Sequence, residues 1–200
     1  MIATERFGDK QTIRLAILVS GAGSNAEKLL ERFEGRADIR VALVVCNKPE
    51  APVTAIARRY VVPVCTPSRD VFYGAPGILP ELEAHGVTHL VMAGFLWLVP
   101  PYLIQRYPGR ILNLHPSLLP KFGGQGMYGM RVHEAVIAAG ETQSGITIHE
   151  VNERFDEGKI LFQATCAVSP GETAESLSVK IRELEHRWFP EIVERIVLAR

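Results

Sequence analysis

Ile13-Arg-Leu-Ala-Ile-Leu-Val19 runs directly into Ser20-Gly-Ala-Gly-Ser-Asn25, and the reading of this junction decides the fold. The first seven residues form an apolar run of strand length, and a helix is expected over 25–34. Gly21 and Gly23 let the backbone turn tightly and come close to a ligand. Amides left free at a helix N-terminus favour an anion such as phosphate, and Ser24 and Asn25 add side-chain donors or cap the helix. A plain strand-to-helix turn needs less than two glycines and a Ser-Asn pair, so Gly21, Ala22, Gly23, Ser24 and Asn25 are read as a phosphate loop. A P-loop requires Gly-Lys-Ser/Thr, which is absent. The dinucleotide fingerprint requires a third glycine and an acid closing the second strand, where Val45-Cys46-Asn47-Lys48 has none. A phosphate monoester therefore fits better than NAD or ATP.

Outward from this junction the same alternation continues. Apolar runs at 41–46, 61–65, 89–93 and 110–114 are separated by amphipathic segments at 52–60, 78–85 and 100–107, the pattern of a parallel sheet covered by helices. Pro100 and Pro101 open the last of these, where a missing amide costs least. Another helix is expected over 130–139, ending at Gly140. The rhythm then changes: Gly145 to Val151 alternates with period two, and Gly158 to Val168 follows a short polar turn, so an antiparallel pair is added to the sheet. Thr173 can cap a final helix, which Pro190 should break or kink, leaving 191–200 as a separate segment. The fold class is α/β: an open, twisted, mostly parallel sheet, Rossmann-like, with helices on both faces and an antiparallel strand pair toward the C-terminus.

At 200 residues the chain suits one domain, with 1–12 as a polar lead-in and 13–200 as the folded unit. Lys+Arg and Asp+Glu balance at 22 each, so no global field attracts nucleic acid or an anionic membrane, and a small, locally bound ligand is expected. No apolar run approaches the roughly twenty residues that span a bilayer, and the first dozen residues lack a signal-peptide core. Cys46, Cys65 and Cys166 are far apart and odd in number, which suggests buried thiols in a reducing cytoplasm and no metal site. The expected assembly is a monomer or a weak homodimer.

Asn113-Leu-His115-Pro-Ser-Leu-Leu-Pro120 carries the chemistry. Residues two apart on a strand point to the same face, so Asn113 and His115 project together while Leu114 packs the other way. An amide donor beside a titratable imidazole is what acyl-type transfer requires, one group to hold an oxyanion and the other to move protons. A strand-end His bonded to a neighbouring carbonyl is the competing reading of this pair alone.

Together with Gly21 to Asn25, Asn47-Lys48, Ala93-Gly-Phe95 and Asp156, in this order, that stretch resembles the phosphoribosylglycinamide formyltransferase family over about residues 13 to 195. His-Pro-Ser-Leu-Leu-Pro is shared with the wider folate-dependent formyltransferase group, and the glycine loop and compact length narrow the resemblance to this branch. It implies transfer of the formyl group of 10-formyltetrahydrofolate, as co-substrate, to the amine of glycinamide ribonucleotide in purine biosynthesis, without metal or covalent enzyme intermediate. It implies Asn113, His115 and Asp156 as catalytic residues. The phosphate loop would be joined on the ribonucleotide side by Glu185, near the ribose hydroxyls, and by Arg182. Folate contacts would fall on Leu96, Trp97, Leu98 and Val99, on Asn113, and on Asn152, Glu153, Arg154, Phe155 and Asp156.

The chemistry of those residue types agrees with these roles. Attack of an amine on a formyl carbon places negative charge on oxygen and positive charge on nitrogen. Asn113 can donate to the oxyanion, an interaction worth about 3 kcal/mol. His115 can pass a proton to the departing nitrogen, with Asp156 favouring the imidazolium and fixing its orientation. Without the resemblance, Phe155-Asp-Glu-Gly158 reads as an ordinary acidic turn. His149 reads as a core residue or a support to the site, whereas His85, His89, His133 and His186 read as surface or helix-packing residues. Met127, Tyr128 and Met130 read as loop packing, with the lining of a ligand as the alternative.

The chain departs from the family pattern at Trp97, where many members carry Arg, and at Arg182, where some carry Gln. The segment 122–131 is longer and richer in glycine than the usual Pro-Gly connection, which suggests movement on substrate entry. Arg69 is a candidate contact for phosphate or the folate tail. Two further readings stand beside formyl transfer to glycinamide ribonucleotide. One keeps the chemistry with another acceptor, water as in a formyltetrahydrofolate hydrolase or a different amine; the other is a non-catalytic phosphometabolite-binding protein.

Overall fold

The computed structural model describes residues 12–199, so the expected polar lead-in lies outside the described residues apart from Thr12. The elements are β1 (Ile13–Val19), α1 (Ser24–Phe33), β2 (Ile39–Cys46), α2 (Val53–Arg59), β3 (Val64–Cys65), α3 (Arg69–Tyr73) and α4 (Leu79–Ala84). They continue with β4 (His89–Met92), α5 (Pro101–Arg106), β5 (Ile111–His115), α6 (Met130–Ala138), β6 (Gln143–Glu150), β7 (Ile160–Ala167) and α7 (Ala174–Leu198). The sheet order is β3-β2-β1-β4-β5-β6-β7. The first five strands are parallel, and β6 and β7 are added antiparallel. Strand order reverses between β1 and β4, and in such sheets ligands bind in the crevice at the carboxyl ends of the strands beside that point.

Near-continuous apolar strands are buried on both faces. Leu15, Ile17 and Val19 of β1 join one core with Leu29, Leu30 and Phe33 of α1 and with Leu177, Ile181 and Val193 of α7. Ala16 and Leu18 point the other way, into a core with Phe72 of α3, Leu82 of α4 and Leu103 of α5. The helices therefore cover both faces, as the alternation of apolar runs predicts.

Three local expectations are corrected. The segment expected to pair over 61–65 pairs only at Val64–Cys65, because Val61 adopts a left-handed φ of 55° in an exposed turn. The helix α3 was not foreseen; five residues are too few to show a period, and Ser68 starts it by accepting from the Val71 amide. Pro190 does not end the last helix, which runs unbroken over Ala174–Leu198. An interior proline costs about 3 kcal/mol. Phe189, Ile192, Val193 and Val197 are buried on either side of it, and large apolar side chains contribute about 1.5–3 kcal/mol each, so packing outweighs the break.

Candidate active site

Along β5, Leu112 and Leu114 enter the α1/α7 core, so Ile111, Asn113 and His115 share the opposite face. On that face Leu18, Met92 and Ile111 are apolar. Beyond them the sheet turns polar: Asn113 lies opposite His149 of β6, and His115 opposite Thr147. The same-face expectation for Asn113 and His115 therefore holds, and β6 supplies two further polar side chains.

Thr147 braces the loop that leaves β5. Its hydroxyl donates to the Ser117 carbonyl at 2.6 Å and accepts from the Leu119 amide at 3.0 Å and from Gln163 Nε2 at 2.9 Å. Ser117 Oγ donates to the Lys121 carbonyl at 2.8 Å. The braced loop brings the Phe122 carbonyl to 2.8 Å from His115 Nε2. A carbonyl only accepts, so Nε2 carries the hydrogen and Nδ1 faces Asp156.

Asp156 comes from the connection between β6 and β7 and holds a left-handed φ of 57°, a conformation that Asp tolerates better than most residues. Its Oδ2 accepts from the Gly124 amide at 3.0 Å and lies 3.4 Å from His115 Nδ1. Its Oδ1 accepts from Asn113 Nδ2 at 3.3 Å and lies 3.6 Å from His149 Nε2. Burial works to raise the Asp156 carboxyl, but His149, His115 and the Gly124 amide outweigh it and hold the group below the ordinary carboxylate range. For His115 burial is the larger influence and pushes the imidazole below its ordinary value, against the pull of Asp156 and the Phe122 carbonyl. The expected preference for imidazolium is thus present only as an opposing influence.

These residues line a cavity of about 920 Å³, at the upper end of the size range of small-molecule sites. One wall is apolar. Leu96, Trp97, Leu98 and Val99, the residues read as folate contacts, line it, and Trp97 packs at a tilt among Phe72, Tyr73 and Phe95 with ring centroids 5.2 to 5.9 Å apart. The Arg69 guanidinium lies over Tyr73 at 5.1 Å and Trp97 at 5.7 Å, on the same wall. Ser20 ties this wall to the glycine loop, donating its amide to the Gly94 carbonyl and accepting from the Leu96 amide, each at 3.0 Å.

The opposite wall is polar. Asn25, Arg182 and Glu185 line it, with Asn25 Nδ2 donating to Glu185 Oε2 at 2.8 Å. Burial pushes the Glu185 carboxyl up, against Asn25 and Arg182. Gly21, Ala22, Gly23 and Ser24 do not reach the cavity wall; of the expected phosphate loop only Asn25 does. Gly23 is the left-handed N-cap of α1 and packs on Val53, where an added Cβ would stand 2.5 Å from Cγ2. No side chain caps α1, so its first amides are left without a side-chain acceptor.

Of the segment expected to border folate, Arg154, Phe155 and Asp156 line the cavity. Asn152 and Glu153 do not: Asn152 accepts from the Arg154 amide within its own turn at 2.9 Å, and Glu153 is exposed. His133 was read as a surface or packing residue, yet it is buried on α6 and lines the cavity. Met127, Tyr128 and Met130 also line it, which agrees with the alternative to loop packing. Ser178 and Ile181 were missed, although their spacing with Arg182 and Glu185 is the i, i+3, i+4, i+7 face of a helix.

A family model described as "Formyl transferase" matches residues 13–193. A protein of Arabidopsis thaliana named "Phosphoribosylglycinamide formyltransferase, chloroplastic" is 40% identical over 92% of this chain, which spans 65% of that relative's length, less than two thirds. A Bacillus subtilis protein named "Phosphoribosylglycinamide formyltransferase" is 34% identical over 92% of this chain and 94% of its own. The crystal structure of phosphoribosylglycinamide formyltransferase from Bacillus halodurans superposes with a TM-score of 0.83 at 33% identity, covering 92% of this chain and 95% of that one.

Proposed function

The chain belongs to the formyl transferase family, and we propose that it transfers the formyl group of 10-formyltetrahydrofolate to the amine of glycinamide ribonucleotide. The products are formylglycinamide ribonucleotide and tetrahydrofolate, and the step belongs to de novo purine biosynthesis. The observation that carries this reading is the convergence of Asn113, His115 and Asp156 in a cavity that has an aromatic wall on one side and Asn25 with Glu185 on the other. The names of the relatives support the acceptor.

The formyl folate supplies an activated one-carbon unit at the formate oxidation level, so its transfer to an amine is an acyl transfer without redox change. Trp97, with Leu96, Leu98 and Val99, offers an apolar support for its ring system. On the other side the uncapped first turn of α1 and Asn25 suit the phosphate of the ribonucleotide. Asn25 holds one oxygen of Glu185, and the carboxylate's other oxygen is left to accept from a ribose hydroxyl.

Asp156, held ionised, receives the proton that the attacking amine must lose, directly or through a water. His115 Nδ1 sits beside it and can take that proton on toward the departing nitrogen. The Phe122 carbonyl holds the ring through Nε2–H, so Nδ1 is the nitrogen free to accept the proton and pass it on. Asn113 has the amide that the developing oxyanion requires, provided that an N–H is turned from His149 and Asp156 toward the cavity. The free thiols Cys46, Cys65 and Cys166, each raised chiefly by burial, suit a reducing compartment such as the cytoplasm.

Incubation with 10-formyltetrahydrofolate in the presence and absence of glycinamide ribonucleotide tests the reading. Tetrahydrofolate release that depends on the ribonucleotide, with formylglycinamide ribonucleotide as product, supports it. Equal release without the ribonucleotide favours hydrolysis, and tight ribonucleotide binding without any formyl transfer favours a binding protein.

A further inference from the structure

His149 Nδ1 lies 2.8 Å from the Glu150 carbonyl oxygen. A carbonyl only accepts, so Nδ1 carries a hydrogen, and in the neutral ring Nε2 is a lone pair. That lone pair accepts from Asn113 Nδ2 at 3.0 Å, and the second hydrogen of Nδ2 goes to Asp156 Oδ1 at 3.3 Å. Both amide hydrogens are thereby committed within the protein. The amide oxygen is the edge left over for the cavity, and it can accept from an amine N–H but opposes an oxyanion.

We propose that His149 is a positioning residue that selects which edge of the Asn113 amide meets the substrate, a proton on its Nε2 turning the amide over so that N–H faces the cavity. The consequence for catalysis rests on the formyl-transfer reading; the geometry does not. Once Nε2 is protonated, two donors face each other at 3.0 Å, and the contact becomes repulsive. A half-turn about Cβ–Cγ sets Oδ1 against Nε2–H and frees the NH2 group. Oδ1 then nears Asp156, and the imidazolium beside it offsets that contact, its Nε2 lying 3.6 Å from Asp156 Oδ1.

The titratable groups that face His149 are Asp156, from the connection after β6, and His115, from β5. Its register partner on β7, Ile160, is apolar. The Gly158 backbone closes the far side of the ring, where an added Cβ would stand 3.4 Å from Nδ1. The ring is buried, so the protein and not bulk water sets the direction of its hydrogen bonds.

The test is a pH titration of the Asn113 side-chain NH2 signals in 15N-labelled, substrate-free protein, beside the pH profile of kcat for wild type and His149→Gln. The wild-type Asn113 signals are expected to move with the titration of the His149 ring, and kcat to fall on the alkaline side of that titration. In His149→Gln both responses disappear, and kcat at the optimum drops about threefold to tenfold while KM changes less than twofold. An Asn113 signal that ignores the His149 titration, or an unchanged alkaline limb in the variant, overturns the proposal. Should the variant fail to fold, coincidence of the wild-type Asn113 midpoint with that of His149, and not with that of His115, decides the matter. The titration needs no substrate, so a failure of the formyl-transfer assay leaves it standing.

Discussion

His115 and Asp156 meet at 3.4 Å, Nδ1 to Oδ2, although one ends a parallel strand and the other sits in the connection of an antiparallel hairpin. The contact exists because β6, antiparallel to β5, leaves it beside Leu112, and the connection that follows brings Asp156 back over the face that carries Asn113 and His115. Two independent supports, the Phe122 carbonyl on the ring and the Gly124 amide on the carboxylate, fix its two halves.

Removal of either half is expected to leave the fold and remove the turnover. Asp156→Asn keeps an oxygen for the Gly124 amide but loses the charge that takes up the amine proton. His115→Ala removes the carrier. Each variant should lose at least about a hundredfold in kcat, the low end of general acid–base contributions, with circular dichroism unchanged. Near-normal turnover in both would exclude the proton path.

Glu185→Gln is expected to act on binding. The substituted amide still accepts from Asn25 through its oxygen, so the α1–α7 contact survives. A hydrogen bond from a hydroxyl to a carboxylate is about twice as strong as one to a neutral amide, so KM for the ribonucleotide should rise about fivefold to tenfold. Turnover at saturation should stay within about threefold of wild type. An equal loss in kcat would place Glu185 in the chemical step instead.

The glycines of the first loop separate two roles. An added Cβ at Gly23 would stand 2.5 Å from Val53 Cγ2, and φ there is +82°, so Gly23→Ala should destabilise by about 1–3 kcal/mol through overpacking and backbone strain. A Cβ at Gly21 meets nothing within 4 Å. Gly21→Ala should therefore melt as wild type does, while KM for the ribonucleotide rises if phosphate approaches this turn. Thermal melts beside steady-state kinetics read both outcomes; an unchanged KM would move the phosphate away from Gly21.

How much of this was legible beforehand depends on how local the cause is. The junction from Ile13 to Asn25 could be read because apolar length and turn residues are properties of neighbouring positions. The same-face placement of Asn113 and His115 follows from strand geometry alone. The arrival of Asp156 depends on a left-handed residue in a hairpin connection, and no periodicity announces that. Pro190 misled because its cost is local while the packing that overrides it comes from a whole helix face. His133 packs on its helix, one of its two readings, and its place in the cavity wall depends on where α6 lands, which the pattern of that helix does not specify.

Acidification should weaken the fold at the site before carboxylates elsewhere are protonated. Burial holds His115, His133 and His186 below the ordinary imidazole value of 6.5, and for His133 and His186 nearby positive side chains add to the fall. A depressed imidazole contributes stability that is present above its unfolded value and is lost as pH falls below it, because the unfolded chain then binds protons that the folded chain refuses. Each such group contributes a slope of up to about 1.4 kcal/mol per pH unit. Glu185 has the opposite sign: its raised carboxyl stabilises below the unfolded value and loses that contribution as pH rises through the folded one. Asp156, lowered, changes nothing until far more acidic pH. Three imidazoles against one carboxyl give a net loss, so the melting temperature of substrate-free protein should fall as pH drops from 7 to 5.5. His186→Gln removes one of the three without touching the cavity, and its melting temperature should fall less over the same interval. A wild-type melting temperature that is flat or rising toward pH 5.5 would mean that Glu185, and not the buried imidazoles, sets the acid response of the site.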